Sequence, residues 1–555
     1  MTCELNPKIE AYLKIVESKK FAVCADQTAL AKLIRNCFLR EKIYTDDLRL
    51  EKYLGMSRYF PFERLFPWEE FVTALHCCTF REDGMPRWPD LLAVVGRGAG
   101  KDGFIAFESF CLASKHHGVR GYDVDICANN EKQALRPMND IIEVLETPKN
   151  EKLLGKFFKH TKEVVTSIDT KAEIKGHTNS PKGKDGLRPG IVIFNEIHQY
   201  QNYDNLNVFT TALGKKKHPR RAYITTNGDV RDGPLDHILD RAKEILRGDV
   251  TDNGLLPFIC QLDSDDEVHD KNNWSKANPS LPYLPDLQQE IEKEYAEWKA
   301  SPTQFTAFMT KRMNRPQGNK EIEVASWENI KAACAALPNL QGCRAVLALD
   351  YARLTDFAAA GFLVKKDGKI YWIVHAWVCE QSADLPRIKP PLREWEKEGF
   401  LTFVNDTEIP VETIMSWVDE QAANLNVVGA GMDNFRFALF REPLRERGFS
   451  RENKNLILAR PQDIMRIVPV IENAFTRNKI GWGKNPLMRW STNNTKLTKT
   501  AKKNGADTGN YFYEKIEAKS RKNDPFMAFV AGMIAGEEFL TDAPTEFIAL
   551  PMITA

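Results

Sequence analysis

The sequence predicts an α/β protein made of two successive α/β units behind a helical N-terminal segment, and three observations carry that reading. First, the short apolar runs "LLAVVG", "DVDICA", "GIVIFNE", "RAYITTN" and "LPFICQL" alternate with helical stretches from about residue 60 onward. Strands interleaved with helices are the pattern of a mainly parallel sheet. Second, another alternating region opens at "CRAVLALDYA" and continues through "AAAGFLVKKDGKIYWIVHAWV", which reads as a hairpin turning at Lys366-Asp367-Gly368. Third, residues 1–60 show helical apolar periodicity, as in "ALAKLIRNCFLREKIY", with few strand signals.

Between the two α/β regions runs a long polar helical passage, "LPDLQQEIEKEYAEWKASPTQFTAFMTKRMN", and then "RPQGNKE", which has linker composition. The expected organisation is therefore a helical segment at 1–60, an α/β domain at 61–320, a linker at 321–340, a second α/β domain at 341–545 and a tail at 546–555. With 28% charged and 43% hydrophobic residues, the chain has globular composition. No apolar run approaches the roughly 20 residues of a membrane span, and the N-terminus lacks a secretory pattern, so no membrane role is expected. The 11 cysteines form no CxxC pair and only Cys77 and Cys78 are adjacent, which suits reduced, mostly buried thiols.

A formal net charge of +1 does not announce a nucleic-acid binder. Local basic runs exist at Lys215, Lys216, Lys217, Arg220 and Arg221, and at Lys496, Lys499, Lys502 and Lys503. Such runs are more often solvated surface than a binding track, but an enzyme that moves along DNA needs only a local basic groove.

The run "LLAVVGRGAGKDGFIAFESF" (91–110) is an apolar strand, a glycine-rich turn and a lysine at the head of a helix. That is how a phosphate-binding loop begins. Backbone N–H groups of Gly98, Ala99, Gly100 and Lys101 would form an anion nest at a helix N-terminus, and Lys101 would counter the β- and γ-phosphates. Two departures stand out: Val95 occupies the place of a small residue, and Asp102 the place of the Ser or Thr that usually reaches Mg²⁺.

The run "GIVIFNEIHQY" (190–200) ends an apolar strand in Asn195-Glu196, where two acidic residues usually hold the ion and orient the attacking water. A carboxylate is thus missing at Asn195 and present at Asp102. If both positions face one metal, the negative charge has moved across the site rather than vanished. A third strand, "YITTNGD", ends in Thr225, Thr226 and Asn227, a polar strand end suited to relaying the state of a γ-phosphate. Upstream, Trp68 and Glu69 in "RLFPWEEF" are expected to bracket adenine. His198 reads as a packing or hydrogen-bonding residue. The His116-His117 pair lacks partners at metal-binding spacing.

The second region has its own acids. Asp350 ends an apolar strand, with Asp356 six residues on; Asp433 breaks "VVGAGMDNFRF"; and Asp524 begins an amphipathic helix, followed by Pro525 in its first turn. Carboxylates from separate strand ends and a helix start can converge to hold two cations roughly 3.5–4 Å apart for phosphodiester cleavage. Taken singly, each Asp reads more simply as a helix cap or a solvated turn. Lys519 and Lys522, just before Asp524, read equally as DNA-backbone contacts or a solvated helix entry. The aromatics of "IYWIVHAWV" read as sheet core.

In this order the motifs resemble the large terminase subunit of tailed bacteriophages over nearly the full chain. The resemblance rests on "GRGAGK", "FNEIH", "TTN", "ANPSLP" (277–282), "QFTAFMTKRMN" and the three acidic positions of the second half. It implies a P-loop ATPase domain followed by a ribonuclease-H-like nuclease domain, using ATP with Mg²⁺ and two divalent cations, Mg²⁺ or Mn²⁺. By resemblance, Arg97 maps to phosphate sensing, Lys101 to phosphate binding and Glu196 to the catalytic base. Asp350, Asp433 and Asp524 map to metal ligands, with Asp356 auxiliary to them.

The implied function is ATP-driven translocation of double-stranded viral DNA into a procapsid and endonucleolytic cutting of concatemeric DNA. The implied partners are a portal protein, a small terminase subunit and further copies of the chain in a ring, while a neutral lone chain also suits a monomer in isolation. The implied location is the host bacterial cytoplasm, transiently at the procapsid and not in the mature virion. Two other readings stand beside it. One is a cellular DNA helicase or repair ATPase with a fused nuclease, although no second set of helicase motifs follows Asn227. The other is a catalytically decayed assembly scaffold, which Asn195 favours and which a wide separation of Asp350, Asp433 and Asp524 would support.

Overall fold

A computed structural model describes residues 5–62, 64–178, 187–200, 203–228, 230–231, 233–302, 305–316, 323–351, 356–388, 390–499, 511–517 and 520–540. The chain divides into two compact units, Met1–Gln317 and Gly318–Ala555.

In the first unit the five apolar runs become neighbouring strands of one eight-stranded sheet. Its order is Leu255–Ile259, Asp90–Val94, Arg220–Thr225, Ile191–Asn195, Val124–Cys127, Glu173–His177, Val164–Ser167 and Phe158–His160. The first six strands are parallel, Val164–Ser167 runs antiparallel to them, and Phe158–His160 pairs antiparallel with it in turn. The central strands are buried on both faces, which is why they read as unbroken apolar runs. This order places Arg220–Thr225 between the glycine-loop strand and the strand ending in Asn195. Parallel register then brings all three C-terminal ends to one crevice, the usual ligand position of such sheets.

The N-terminal helices Pro7–Ser18 and Ala25–Arg40 do not build a core of their own. Ile9, Leu13, Leu30 and Ile34 pack into the same apolar cluster as Leu91, Ala93 and Phe104 of the sheet layer. The segment also contributes a short strand, Ile43–Thr45, paired antiparallel with Thr79–Arg81. The polar passage after the sheet is not one helix. It forms Pro285–Ala300, breaks ahead of Pro302, and resumes as a π-helical turn, Phe308–Arg312. Proline lacks the N–H a continuing helix needs and disfavours helical geometry in the residue before it.

The second unit holds a mixed seven-stranded sheet. The order is Leu401–Val404, Lys369–Cys379, Phe357–Lys366, Arg344–Tyr351, Asn426–Asp433 and Leu456–Ala459, with Ile480–Gly481 pairing Lys369–Cys379. The first three strands in the chain form an antiparallel meander, and Asn426–Asp433 and Leu456–Ala459 lie parallel to Arg344–Tyr351 on its other side. This is the ribonuclease-H-like arrangement. The hairpin turns at Asp367 and Gly368, with φ of 50° and 70°, the left-handed pair of a tight two-residue turn. Helix Asp524–Phe539 lies over the sheet, with Gly532 against Trp372, Ala348 and Leu363. Trp372 and Trp377 are buried, as expected of sheet core.

Among the described residues no helix is long and apolar enough to cross a membrane. The cysteines described are free thiols, most of them buried.

Candidate active sites

The glycine loop of the first unit follows strand Asp90–Val94 and leads into helix Lys101–Ala113. Gly98 and Gly100 carry φ of 94° and 95°, left-handed values that side-chain-bearing residues rarely adopt, and Gly100 is the N-cap. The loop is braced from behind by two later segments. Gly96 N–H donates to the Ala277 carbonyl (2.7 Å) and Arg97 N–H to the Lys311 carbonyl (2.7 Å). The Arg312 guanidinium donates to the Arg97 carbonyl (2.8 Å), and the Ser280 hydroxyl to the Ala99 carbonyl (2.8 Å). "ANPSLP" therefore supports the loop, a role its sequence did not disclose. The Arg97 residue itself is exposed.

At the mouth of the loop the Lys101 ammonium lies 2.6 Å from Glu196 Oε1 and 3.3 Å from Asp102 Oδ1. Asn195 Nδ2 donates to Asp102 Oδ1 at 3.4 Å, and Arg136 reaches Asp102 Oδ2 at 3.6 Å. The two departures from the standard pattern thus face each other. Glu196 has φ of 55°, an uncommon value for a non-glycine residue and one that concentrates at functional sites. Burial acts to raise its carboxyl, but His198 and Lys101 outweigh that and hold it down to about 2. Glu196 is therefore ionised throughout the neutral range.

Thr225, Thr226 and Asn227 are buried beside it. The Thr225 hydroxyl donates to the Thr226 carbonyl (2.7 Å), and its carbonyl accepts from Val95 N–H (3.0 Å), tying this strand end to the glycine loop. Asn227 N–H donates to Asn314 Oδ1 at 2.9 Å. His198 is a hydrogen-bonding residue, bridging Thr225 and Lys311. Sequence reading quoted Lys311 and Asn314 within "QFTAFMTKRMN" but gave neither a role, because His198 and Asn227, which they meet here, lie more than eighty positions away.

The expected adenine bracket is corrected. Trp68 is 1% exposed; its ring packs on Phe104 and Phe258, and its indole N–H donates to Ser280 Oγ at 2.8 Å. An aromatic side chain this large is drawn into the core by its area, and none of its face is left for a base. Glu69 is also buried, accepts Phe66 N–H at 2.8 Å as the cap of helix Pro67–Cys78, and lies behind Gly100. Burial pushes its carboxyl up to about 8.

In the second unit Asp350 and Asp433 end adjacent parallel strands, and Asp524 starts the helix laid over them. Burial, then the negative charges of Asp524 and Asp433, push the Asp350 carboxyl well above the usual carboxylate range. Asp524 and Asp433 therefore lie within electrostatic reach of Asp350. A cation already stands among them: Lys515 Nζ lies 3.2 and 3.0 Å from the two oxygens of Asp524. Burial would lower the Lys515 pKa, but Asp524, Asp350 and Asp356 together raise it. Among the described residues, no three His, Cys, Asp or Glu side chains are grouped closely enough to hold an ion as they stand.

Asp356 is buried and paired with Lys522 Nζ at 2.6 Å, and the same ammonium reaches Asp384 at 2.8 Å. Lys522 is itself fully buried, which corrects both roles expected of it: it is neither a solvated helix entry nor a DNA contact. Lys519 lies outside the described residues. Asp384 and Lys515 escaped the sequence reading, because Asp384 lies in a turn and Lys515 ends a short strand of mixed polarity, Tyr511–Lys515.

A glycine-loop unit with a half-buried acid opposite its lysine, followed by a ribonuclease-H-like unit with aspartates at neighbouring strand ends and a helix start, has the arrangement of a P-loop ATPase fused to a nuclease. Residues 70–244 match the family described as "Terminase large subunit, ATPase domain", and residues 249–519 match "Terminase large subunit, endonuclease domain". The chain belongs to the terminase large subunit family. The endonuclease match begins ahead of strand Leu255–Ile259, which the structure places in the first sheet.

The terminase large subunits of Lactococcus phages p2 and SK1 are each 22% identical over 448 residues, covering 79% of this chain and 80% of theirs. Among solved structures, the large terminase of bacteriophage HK97 is 18% identical and covers 88% of this chain and 100% of its own, with a TM-score of 0.48. The large terminase of a thermophilic bacteriophage, solved in complex with ADP, is 11% identical, with coverage of 81% and 93% and a TM-score of 0.26. The function is that of a phage terminase large subunit with an ATPase and a nuclease domain, and the helicase and scaffold readings give way to it.

Proposed function

We propose that the first domain hydrolyses ATP with Mg²⁺ to move double-stranded viral DNA into a procapsid, and that the second cuts concatemeric DNA using two divalent cations, Mg²⁺ or Mn²⁺. The observation that carries the first half is the 2.6 Å contact between Lys101 and Glu196 across the glycine loop. On nucleotide binding the Lys101 ammonium turns to the β- and γ-phosphates, the backbone N–H groups of Gly98, Ala99 and Gly100 cradle them, and Glu196 is released to orient and deprotonate water. Arg97 senses the phosphate from the exposed side of the loop. Thr225, Thr226 and Asn227 relay the change to the rest of the sheet.

Asp102 and Asn195 would hold the nucleotide's ion. The fit rests on the buried, unpartnered Asn195 Oδ1 and the adjacent Asp102 carboxylate, hard oxygen donors of the kind Mg²⁺ prefers. That ion neutralises phosphate charge when bound. In the second domain Asp350, Asp433 and Asp524 would hold the cations, with Asp356 in support. The fit rests on Lys515, an ammonium standing in for positive charge among these acids. When bound, two such cations would activate the attacking water and stabilise the leaving oxygen, and the Lys515 ammonium would give up its contact with Asp524 to them.

The partners this reading assigns are viral DNA, a portal protein, a small terminase subunit and further copies of the chain in a ring. The protein acts in the host bacterial cytoplasm, transiently docked on the procapsid and absent from the mature virion. The test is DNA-stimulated ATP hydrolysis and plasmid cleavage measured in parallel for wild type, Lys101→Ala and Asp433→Ala. Lys101→Ala is expected to lose only hydrolysis and Asp433→Ala only cleavage. Wild type inactive in both assays with DNA and Mn²⁺ overturns the reading.

A further inference from the structure

His198 stands where three parts of the first unit meet. Its Nε2 lies 2.7 Å from the Lys311 ammonium. Its Nδ1 lies 2.8 Å from Thr225 Oγ1 and 3.0 Å from Glu196 Oε2. An ammonium has no lone pair, so Nε2 is the acceptor in that contact and the ring proton sits on Nδ1. The Thr225 hydroxyl already donates to the Thr226 carbonyl at 2.7 Å, so its oxygen accepts the same Nδ1–H. Two independent neighbours therefore impose one tautomer on a neutral imidazole. The charged groups facing the ring are Glu196, Lys311 and Lys101; burial together with the two lysines keeps the imidazole below its ordinary pKa against the pull of Glu196.

The seat of the ring is built for it. A Cβ at Gly228 would lie 2.5 Å from His198 Cδ2, so only glycine leaves room there. Lys311 belongs to the π-helical turn Phe308–Arg312, a geometry that recurs at functional positions. That turn also grips the glycine loop, through the Lys311 carbonyl and the Arg312 side chain on either side of the Arg97 peptide. One imidazole thus touches the carboxylate opposite Lys101, the Thr225 strand end and the segment that closes the first unit.

We propose that His198 is a positioning residue for Glu196, whose single Nδ1–H passes from Thr225 Oγ1 to Glu196 Oε2 when Lys101 leaves Glu196 for a bound nucleotide. The inference rests on the reading of Glu196 as the base. In the nucleotide-free arrangement Glu196 is held on Oε1 by Lys101, while Oε2 faces the imidazole Nδ1 at 3.0 Å without an aligned hydrogen bond. Once Lys101 moves, the nearest donor is the imidazole 3.0 Å from Oε2. Accepting that hydrogen bond, with the proton remaining on Nδ1, fixes the carboxylate plane for water activation and withdraws the bond from Thr225. Strand Arg220–Thr225 and the 308–315 segment then feel the change at the base together. Lys311 keeps the ring neutral and its Nε2 engaged, so no other tautomer competes.

The test uses the full chain with ATP and DNA. Glu196→Gln and Lys101→Ala serve as controls; if both hydrolyse at the wild-type rate, the ATPase-site reading itself fails. With those controls inactive, His198→Phe is expected to lower kcat by about tenfold or more while KM and the affinity for a fluorescent ATP analogue stay within about twofold. Lys311→Met removes the charge that opposes ring protonation. Its rate should fall below about pH 7 and recover toward about pH 8.5, whereas Lys311→Arg keeps the wild-type profile. A wild-type kcat in His198→Phe overturns the proposal, and so does a Lys311→Met deficit that is equal at every pH. The second criterion stands even where His198→Phe does not fold.

Discussion

The Asn195 side-chain amide donates to the Asp102 carboxylate across 3.4 Å, so the residue that lacks the usual strand-end carboxylate faces the one that carries a carboxylate in place of a hydroxyl. Asn195 Oδ1 is buried without a hydrogen-bond partner, and buried polar atoms rarely stay unpaired unless a ligand completes them. An exchange of charge between the two positions keeps one negative group beside the ion. Asp102→Ser should then weaken Mg²⁺-dependent nucleotide binding by about tenfold, equivalent to ~1.4 kcal/mol. Asp102→Ser combined with Asn195→Asp should regain part of that loss. Titration with a fluorescent nucleotide, with and without Mg²⁺, reads both, and strictly additive losses would refute the exchange.

Trp68 belongs to the core rather than to a base pocket. Trp68→Ala should destabilise the protein by about 3–5 kcal/mol, as large-to-small aromatic changes do, measured by denaturant unfolding. Trp68→Phe, which restores most of the packing, should show the wild-type preference between ATP and GTP. A selective loss of ATP affinity in the folded Phe variant would return Trp68 to the nucleotide.

Glu69 supplies a pH signature. Its carboxyl is pushed up to about 8 by burial, above the ordinary value near 4.5 in the unfolded chain. A folded-state pKa raised in this way contributes stability that is fully present below about pH 4.5 and is lost as pH rises through about 8. Glu69→Gln keeps an oxygen for the Phe66 N–H but cannot ionise. The variant should match wild type near pH 5 and melt at a higher temperature near pH 9, by an amount worth on the order of a few kcal/mol. Parallel melting curves at the two pH values give the comparison, and an unchanged difference between them contradicts the assignment.

Lys515 competes with the cations its neighbours would bind. Lys515→Ala leaves the buried Asp524 and its neighbour Asp350 without a counter-charge, and with Lys515 itself half-buried this costs about 1–3 kcal/mol. The metal-free variant should therefore melt lower than wild type. Mn²⁺ should bind it more tightly, by about tenfold on electrostatic grounds, and should restore much of the lost melting temperature. Calorimetric titration settles the direction: equal or weaker Mn²⁺ binding would show that Lys515 is a structural partner and not a competitor.

Much of this was legible because sheet strands buried on both faces must be continuously apolar. The five runs of the first unit were visible for that reason, as were Asp350 and Asn195-Glu196 where the apolar runs stop. Asp367-Gly368 was legible because a two-residue hairpin turn demands left-handed backbone. The polar passage misled, since helical periodicity on both sides of Pro302 concealed a break that a single residue imposes.

The sequence by itself determined the two α/β units, the glycine loop with its lysine, and the acids placed at strand ends. These follow from local rules: periodicity, turn chemistry and the position of charge beside an apolar run. Only the tertiary structure decided that Trp68 is core, that Lys522 is a buried counter-ion to Asp356 and Asp384, and that Lys515 sits among the second unit's acids. It alone brought His198 between Glu196, Thr225 and Lys311. The physical reason is common to all four. Burial, tautomer and ion pairing depend on which distant side chains share a low-dielectric space, and parallel-sheet crossovers bring together residues that lie tens to hundreds of positions apart in the chain.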